Sequence, residues 1–146
     1  MSKAHSHDHQ APYDQALSTL RAARLKITLP RQQILRILTT EHGPFTMEEL
    51  HQRVKNACDL VTVYRCLAVL EDVGLVRRCD FGDGSCRYEF HQGSHHHHLI
   101  CRRCRKIETL DICLIEELER DVRQKGYEDV SHALEFFGIC PACQKG

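Results

Sequence analysis

Two Cys-x-x-Cys pairs, Cys101-Arg-Arg-Cys104 and Cys140-Pro-Ala-Cys143, constrain this chain more than any other feature of its sequence; 35 residues separate them. A two-residue gap lets both sulfurs of a pair lie on one side of a tight turn. Two such turns complete a tetrahedral set of four thiolates at about 2.3 Å from a zinc ion. The competing reading, a redox Cys-x-x-Cys of the thioredoxin kind, wants one such motif on a helix after a strand. The chain has nine cysteines in all. An odd number with this spacing fits metal thiolates in a reducing compartment better than a disulfide framework. The expectation is a closed structural Zn2+ site held by Cys101, Cys104, Cys140 and Cys143.

With 146 residues, 42% hydrophobic and 27% charged, the chain has room for one ordinary domain or two very small ones. No apolar run approaches the roughly 20 residues of a membrane span, and the His-rich start lacks an apolar signal core. A cytoplasmic protein without a membrane partner is expected. The net charge of zero hides a division. Residues 1–78 carry 11 Lys and Arg against 8 Asp and Glu, and residues 79–146 carry 9 against 12. Residues 15–40 hold five basic side chains (Arg21, Arg24, Lys26, Arg31, Arg36) and no acid. A basic front half and an acidic, Cys/His-rich back half suggest different partners, although a solvated helix face would look the same.

Periodicity predicts a first amphipathic helix over 13–23. A second follows, with Thr28 as N-cap, Pro30 in its first turn and Ile34, Leu35, Ile37 and Leu38 on its buried face. Thr46-Met47-Glu48-Glu49 has capping-box spacing and opens a third helix that turns Leu50 and Val54 inward. A fourth is predicted over 60–73, with Val63, Leu67 and Leu70 buried and Gly74 ending it. Residues 75–79 and 87–90 read as strands around the turn Phe81-Gly82-Asp83-Gly84. Helices followed by a hairpin make a winged helix-turn-helix, whose fourth helix is the one expected to enter a major groove.

The predicted organisation is a His-containing disordered tail over 1–12, a winged-helix domain over 13–90, a polar hinge over 91–94 and a metal-binding dimerisation domain over 95–146. In the last, strands over 97–101 and 106–110, a helix over 112–125 and a strand over 131–137 form a small α/β unit. The fold class is thus α+β. The second domain has too few apolar residues for an independent core, so a metal or a partner chain must staple it.

Five thiols remain. Cys58, Cys66 and Cys113 lie in or beside helices and read as small apolar fillers. Cys79 and Cys86 flank the hairpin turn and could face each other as a zinc site, as a disulfide switch or with no function; the last is preferred. The run His95-His96-His97-His98 leads directly into Leu99-Ile100-Cys101. If extended, it sends His96 and His98 to one face and His95 and His97 to the other. Glu89 could complete the first pair, and Glu116 and His132 the second; a solvated His-rich loop is the alternative. Nitrogen and carboxylate donors without thiolate suit a labile Fe2+, Mn2+ or Zn2+ site. His5, His7 and His9 read as a mobile, weakly binding tail.

Thr28-Leu29-Pro30-Arg31 with Ile34-Leu35, and Thr62-Val63-Tyr64-Arg65 with Leu67 and Leu70-Glu71, resemble the DNA-binding signatures of the ferric uptake regulator (Fur) family of bacterial repressors. Arg87-Tyr88-Glu89, the stretch 95–104, and His132 through Leu134-Glu135-Phe136 to Cys140 and Cys143 are similar to its metal-binding half. The resemblance implies a homodimer that reads a palindromic, A/T-rich double-stranded operator. It also implies a non-enzymatic, metal-responsive repressor of metal uptake and homeostasis genes. Lys26, Arg31, Thr62, Tyr64 and Arg65 would face DNA; a packed core aromatic is the lesser alternative for Tyr64. Glu89, His96 and His98 would form the sensing site, for Fe2+ or Zn2+, and His95, His97, Glu116 and His132 a second site.

There are departures from the family pattern. A His from the loop before the third helix falls near Pro44, leaving His42 as a substitute. A carboxylate past the first thiolate pair falls at Thr109, beside Glu108. Zinc-sensing members place a Cys near Glu89, and the closest in sequence is Cys86. Iron is therefore slightly favoured over a zinc-sensing, manganese-sensing or peroxide-sensing member. A zinc deaminase would need His-x-Glu and Pro-Cys-x-x-Cys, and neither pattern is present. A metal buffer would not require the basic winged helix.

Overall fold

A computed structural model describes residues 10–41, 43–54, 56–91, 97–110, 115–130, 132 and 134–146. The chain divides into two compact units, Met1–Gln92 and Gly93–Gly146.

In the first unit, α1 (Gln10–Ala22), α2 (Leu29–Thr40), α3 (Met47–Val54) and α4 (Leu60–Asp72) pack around one core. Its centre is Leu20, Ile34, Leu35, Leu50, Val63, Leu67 and Leu70, each excluded from solvent. These are the positions the helical spacing assigns to buried faces. Ile37 only packs partly against them. Helix α1 begins three residues before the predicted start, inside the segment expected to be a disordered tail.

Local hydrogen bonding explains where α2, α3 and α4 start. Thr28 Oγ1 accepts from the Arg31 amide at 3.4 Å ahead of α2. Before α3 the capping box closes in both directions: the Glu49 amide donates to Thr46 Oγ1 (3.1 Å) and the Thr46 amide donates to Glu49 Oε2 (2.7 Å). Asp59 caps α4, its Oδ1 accepting from the Thr62 amide at 2.9 Å. At the other end of α4, Gly74 takes φ +76°, a left-handed conformation that L side chains rarely adopt.

Strands β1 (Phe45–Thr46), β2 (Val76–Asp80) and β3 (Cys86–Phe90) form an antiparallel sheet in the order β1-β3-β2. The β2–β3 hairpin is the wing. Its register pairs Arg77 with Glu89, Cys79 with Arg87 and Asp80 with Cys86. The predicted β2 is shifted by one residue and β3 gains Cys86. In the turn, Asp83 pairs with Arg87 (2.8 Å). That hydrogen bond and the Ser85 amide hold the Asp83 carboxyl down at about 2.

The second unit contains β4 (His97–Cys101), β5 (Ile107–Leu110), α5 (Glu116–Gln124), β6 (Glu135–Gly138) and the one-turn α6 (Pro141–Gln144). The sheet order is β5-β4-β6, with β5 antiparallel and β6 parallel to β4. Parallel strands need a crossover, and α5 lies within it. The predicted last strand over 131–137 is realised only over Glu135–Gly138. The first predicted residues of α5 fall in 111–114, outside the described residues.

Thr46→Ala opens the capping box without touching the core. We expect a loss of about 1 kcal/mol, read as a lower urea midpoint with an unchanged denaturant slope.

Candidate metal centres and nucleic-acid interface

The two Cys-x-x-Cys turns come together. The Sγ atoms of Cys101, Cys104, Cys140 and Cys143 lie within 4.8 Å of one another, and Cys104 and Cys140 are 3.7 Å apart. A regular tetrahedron with metal–sulfur bonds of about 2.3 Å has edges of about 3.8 Å, so the four sulfurs fit a zinc-sized ion.

The backbone builds this centre. Cys101 closes β4, and its amide donates to the Lys106 carbonyl across the knuckle (2.9 Å). Arg105 supplies the left-handed residue of that knuckle, with φ 66°. The Arg102 amide donates to the Gly138 carbonyl (2.8 Å) and Arg103 Nη1 to the Cys143 carbonyl (2.8 Å), tying the first knuckle to the second. The Cys140 amide donates to Cys101 Sγ at 3.3 Å. That hydrogen bond and one from the Cys104 backbone lower the Cys101 thiol to about 6. Cys143 moves the other way, to about 12, through hydrogen bonding with the Cys140 and Cys104 sulfurs. Four crowded sulfurs cannot all ionise alone, and a divalent cation reverses that penalty.

A second polar cluster lies in the same unit. His132 Nδ1 is hydrogen-bonded to Glu119 Oε1. The His97 and His132 rings are 5.4 Å apart. Arg123 Nη2 donates to the other Glu119 oxygen at 3.2 Å. Here the sequence expectation is corrected: the carboxylate that meets His132 is Glu119, while Glu116 is exposed on α5. The two are three residues apart and share a helix face, so spacing alone admits either; the inward turn is the one that contains Glu119.

His97 and His98, adjacent in β4, point to opposite faces of the strand and are both buried. His95, His96, His42, Cys113 and the tail histidines His5, His7 and His9 lie outside the described residues.

On the wing, Glu89 is buried in β3 and paired to Arg77 in the neighbouring strand. The hairpin register puts Arg77 and Cys79 on the same face as Arg87 and Glu89. The Cys79 Sγ accordingly lies within 4.8 Å of a Glu89 carboxylate oxygen. Cys86 is exposed on the other face. Of the open possibilities for the turn, a facing thiol pair is the one the register does not support: Cys79 stands opposite Arg87, and Cys86 opposite Asp80. The cysteine nearest Glu89 in sequence is the wrong one. The right one follows from the period of two, but only once the register is known.

The DNA-facing candidates gather at the junction of α2 and α4. Thr28, Arg31, Thr62, Tyr64 and Arg65 line one concave surface. Lys26 is exposed in the turn before α2. Tyr64 is 52% exposed, which excludes the packed-core reading. Arg31 is half-buried, and its Nη1 donates to the Lys26 carbonyl at 2.5 Å. It also lies beside Cys66, whose thiol burial pushes up against the lowering effect of this guanidinium. Cys66 is a core residue and Cys58 packs partly against the core, as apolar fillers do.

A winged helix whose fourth helix faces solvent beside the acid-free basic segment 15–40, in a chain whose second unit gathers four thiolates, defines a metal-binding transcription regulator of the helix-turn-helix class. A profile of the ferric uptake regulator family matches residues 22–137. The peroxide-responsive repressor PerR of Staphylococcus aureus is 33% identical over 135 residues, covering 90% of each chain. The ferric uptake regulator of Helicobacter pylori superimposes with a TM-score of 0.74 at 25% identity over 96% of each chain. A zinc-bound manganese uptake regulator does so with a TM-score of 0.66 at 34% identity, over 86% of this chain and 98% of its own.

The chain belongs to the ferric uptake regulator family. Members are metal-responsive repressors that bind DNA operators as dimers and are not enzymes. Among the described residues no helix is long and apolar enough to cross a membrane.

Cys101→Ser removes a buried sulfur from the four-thiolate set. The variant is expected to purify with less than one equivalent of zinc and to melt well below the parent. Full zinc content at an unchanged melting temperature, measured by atomic absorption and calorimetry, would show that the four sulfurs do not hold the ion.

Proposed function

We propose that this chain is a cytoplasmic, metal-gated repressor of metal uptake and homeostasis genes, acting as a homodimer on a palindromic, A/T-rich operator. The observation that carries the sensing half is Glu89: a buried carboxylate on the last strand of the wing, two residues before the predicted hinge at 91–94. With His96 and His98 beyond that hinge in the chain, it forms the proposed sensing site. His95, His97 and His132, with Glu119 in place of Glu116, form the proposed second site, and the four cysteines hold structural Zn2+.

Ligands from both sides of a hinge tie its angle to site occupancy. Half-sites one helical turn apart, or a multiple of that, accept only one spacing of the two recognition helices. The sensed ion supplies the bias by preferring the docking form. A hundredfold preference corresponds to about 2.7 kcal/mol per site, and two sites per dimer act together. Lys26, Arg31 and Arg65 hold phosphates or bases, while Thr62 and Tyr64 face the groove. Dimerisation through the second unit is supported by apolar side chains left exposed there: Leu118 and Val122 one turn apart on α5, and Phe136 on β6.

Oxygen and imidazole donors alone suit Fe2+, which the sequence favours. The Cys79 thiol beside Glu89 adds a soft donor and moves the balance to Zn2+. A second reading, Fe2+ or Mn2+ sensing with or without a peroxide response, has the support of the relatives named for peroxide and for manganese.

The test is operator retention titrated anaerobically with Fe2+, Mn2+ and Zn2+. Glu89→Ala should lose most of its metal-dependent retention while remaining folded, with a melting temperature lowered by the loss of the Arg77 pair but its metal-independent binding to DNA kept. Cys79→Ser should weaken the Zn2+ response more than the Mn2+ response. Unchanged metal dependence in Glu89→Ala removes that residue from the sensing site, and equal losses for both ions in Cys79→Ser return the assignment to iron or manganese. Lys26→Ala should weaken binding to all sequences alike. The slope of log K against log salt should become shallower by about 1 for each phosphate that this lysine neutralises in the parent complex.

A further inference from the structure

Helix α4 presents two stripes. Val63, Cys66, Leu67 and Leu70 face the core. Val61, Tyr64, Arg65 and Ala68, at i, i+3, i+4 and i+7, form an exposed stripe on the other side. Val61 is 56% exposed, more than Tyr64. Only Arg65 in this outer stripe is charged, whereas the water-facing side of a surface helix is ordinarily charged or polar. Packing does not explain Val61, because its side chain stands clear of the core. Helix propensity does not either, since a β-branched residue is a poorer helix former than Ala.

The surroundings say what meets this surface. The adjoining segment 15–40 is basic without a single acid, and Lys26 is exposed in it. Complementary charge therefore brings a polyanion to this face. At the start of α4 the carboxylate of Asp59 already accepts the Thr62 amide. This first turn thus carries its own negative charge, which makes it a poor seat for a phosphate and directs it to base edges. In the major groove the one apolar group that a base edge offers is the 5-methyl of thymine.

We infer that Val61 is a specificity-determining residue: its isopropyl group packs against the 5-methyl of a thymine in each operator half-site. Tyr64 and Arg65 set the register one turn further along. The inference rests on the reading of α4 as the recognition helix.

The experiment uses the full-length, Zn2+-loaded dimer and a duplex it selects from a random pool, with each thymine replaced in turn by 2′-deoxyuridine. At one thymine per half-site, losing the methyl should weaken binding by the parent about fourfold, the equivalent of about 0.8 kcal/mol for one buried methylene-sized group. Val61→Ala, which removes the contact from both half-sites at once, should bind the unmodified duplex about sixteenfold more weakly (about fourfold per half-site) and be indifferent to deoxyuridine at that same position. Its exposure means that its melting temperature should not fall. The inference is overturned if Val61→Ala binds like the parent, or if every deoxyuridine penalty persists in the variant. Tyr64→Ala and Arg65→Ala separate the two levels. If they abolish retention while Val61→Ala is silent, only the thymine contact is wrong; if they too are silent, α4 does not read DNA and the functional reading fails with it.

Discussion

The four-thiolate centre is the interaction on which the second unit depends. Among the described residues of that unit only Ile100 and Cys101 are buried apolar side chains, against the buried polar groups His97, His98 and Glu119. A small unit whose interior is mostly polar gains little from the hydrophobic effect and must satisfy each buried donor and acceptor to avoid losing more. Joining Cys101 at the end of β4 to Cys140 and Cys143 just after β6 secures the two parallel strands at one end. It closes a chain loop of about 40 residues, and loop closure of that kind restricts the unfolded state most. The first unit has the opposite character, with an apolar core drawn from four helices and the wing. Its core is apolar throughout, so burial alone accounts for its packing.

That contrast bears on response. An interior of imidazoles and carboxylates has more than one way to satisfy its hydrogen bonds, with protons, with cations such as Arg123, or with a metal. Elements that switch are drawn from the less stable parts of a protein. The trio of His97, His132 and Glu119 has this property: Glu119 already bridges His132 and Arg123, so an ion arriving there replaces partners and does not fill a void. On the wing, Arg77 plays the same part for Glu89. Each proposed ligand carboxylate is thus neutralised by an arginine in advance, which lowers the cost of keeping it buried and sets a threshold that ion binding must exceed.

How much of this was legible in the sequence follows from how local each determinant is. Thr28, the Thr46–Glu49 box and Gly74 act within a few residues of chain, and all three do in the structure what their spacing implies. The buried faces of α2, α3 and α4 were readable for the same reason, and the thiolate pairs because each knuckle is itself a short motif. What escaped depends on register. Glu119 displaces Glu116 because a three-residue step along a helix leaves both on one face, and only the packing of α5 decides between them. Cys79 displaces Cys86 because the five-residue connection between β2 and β3 sets which strand positions oppose each other. The contact of Arg31 with the Lys26 carbonyl and with Cys66 joins three segments and has no one-dimensional signature.

Helix α4 shows why reading and stability stay separable in such a small protein. Its inner stripe is buried to the last atom at Val63 and Leu70, so any change of volume there is felt by the whole core. Its outer stripe touches little, so the side chains can answer to a base sequence without altering the fold. Arg31 links the two. It stands at the start of α2, fastens the turn that carries Lys26, and lies against Cys66 on the inner stripe. The turn that carries Lys26 and helix α4 are thereby held in one frame, so a ligand that met both surfaces would find their spacing already fixed.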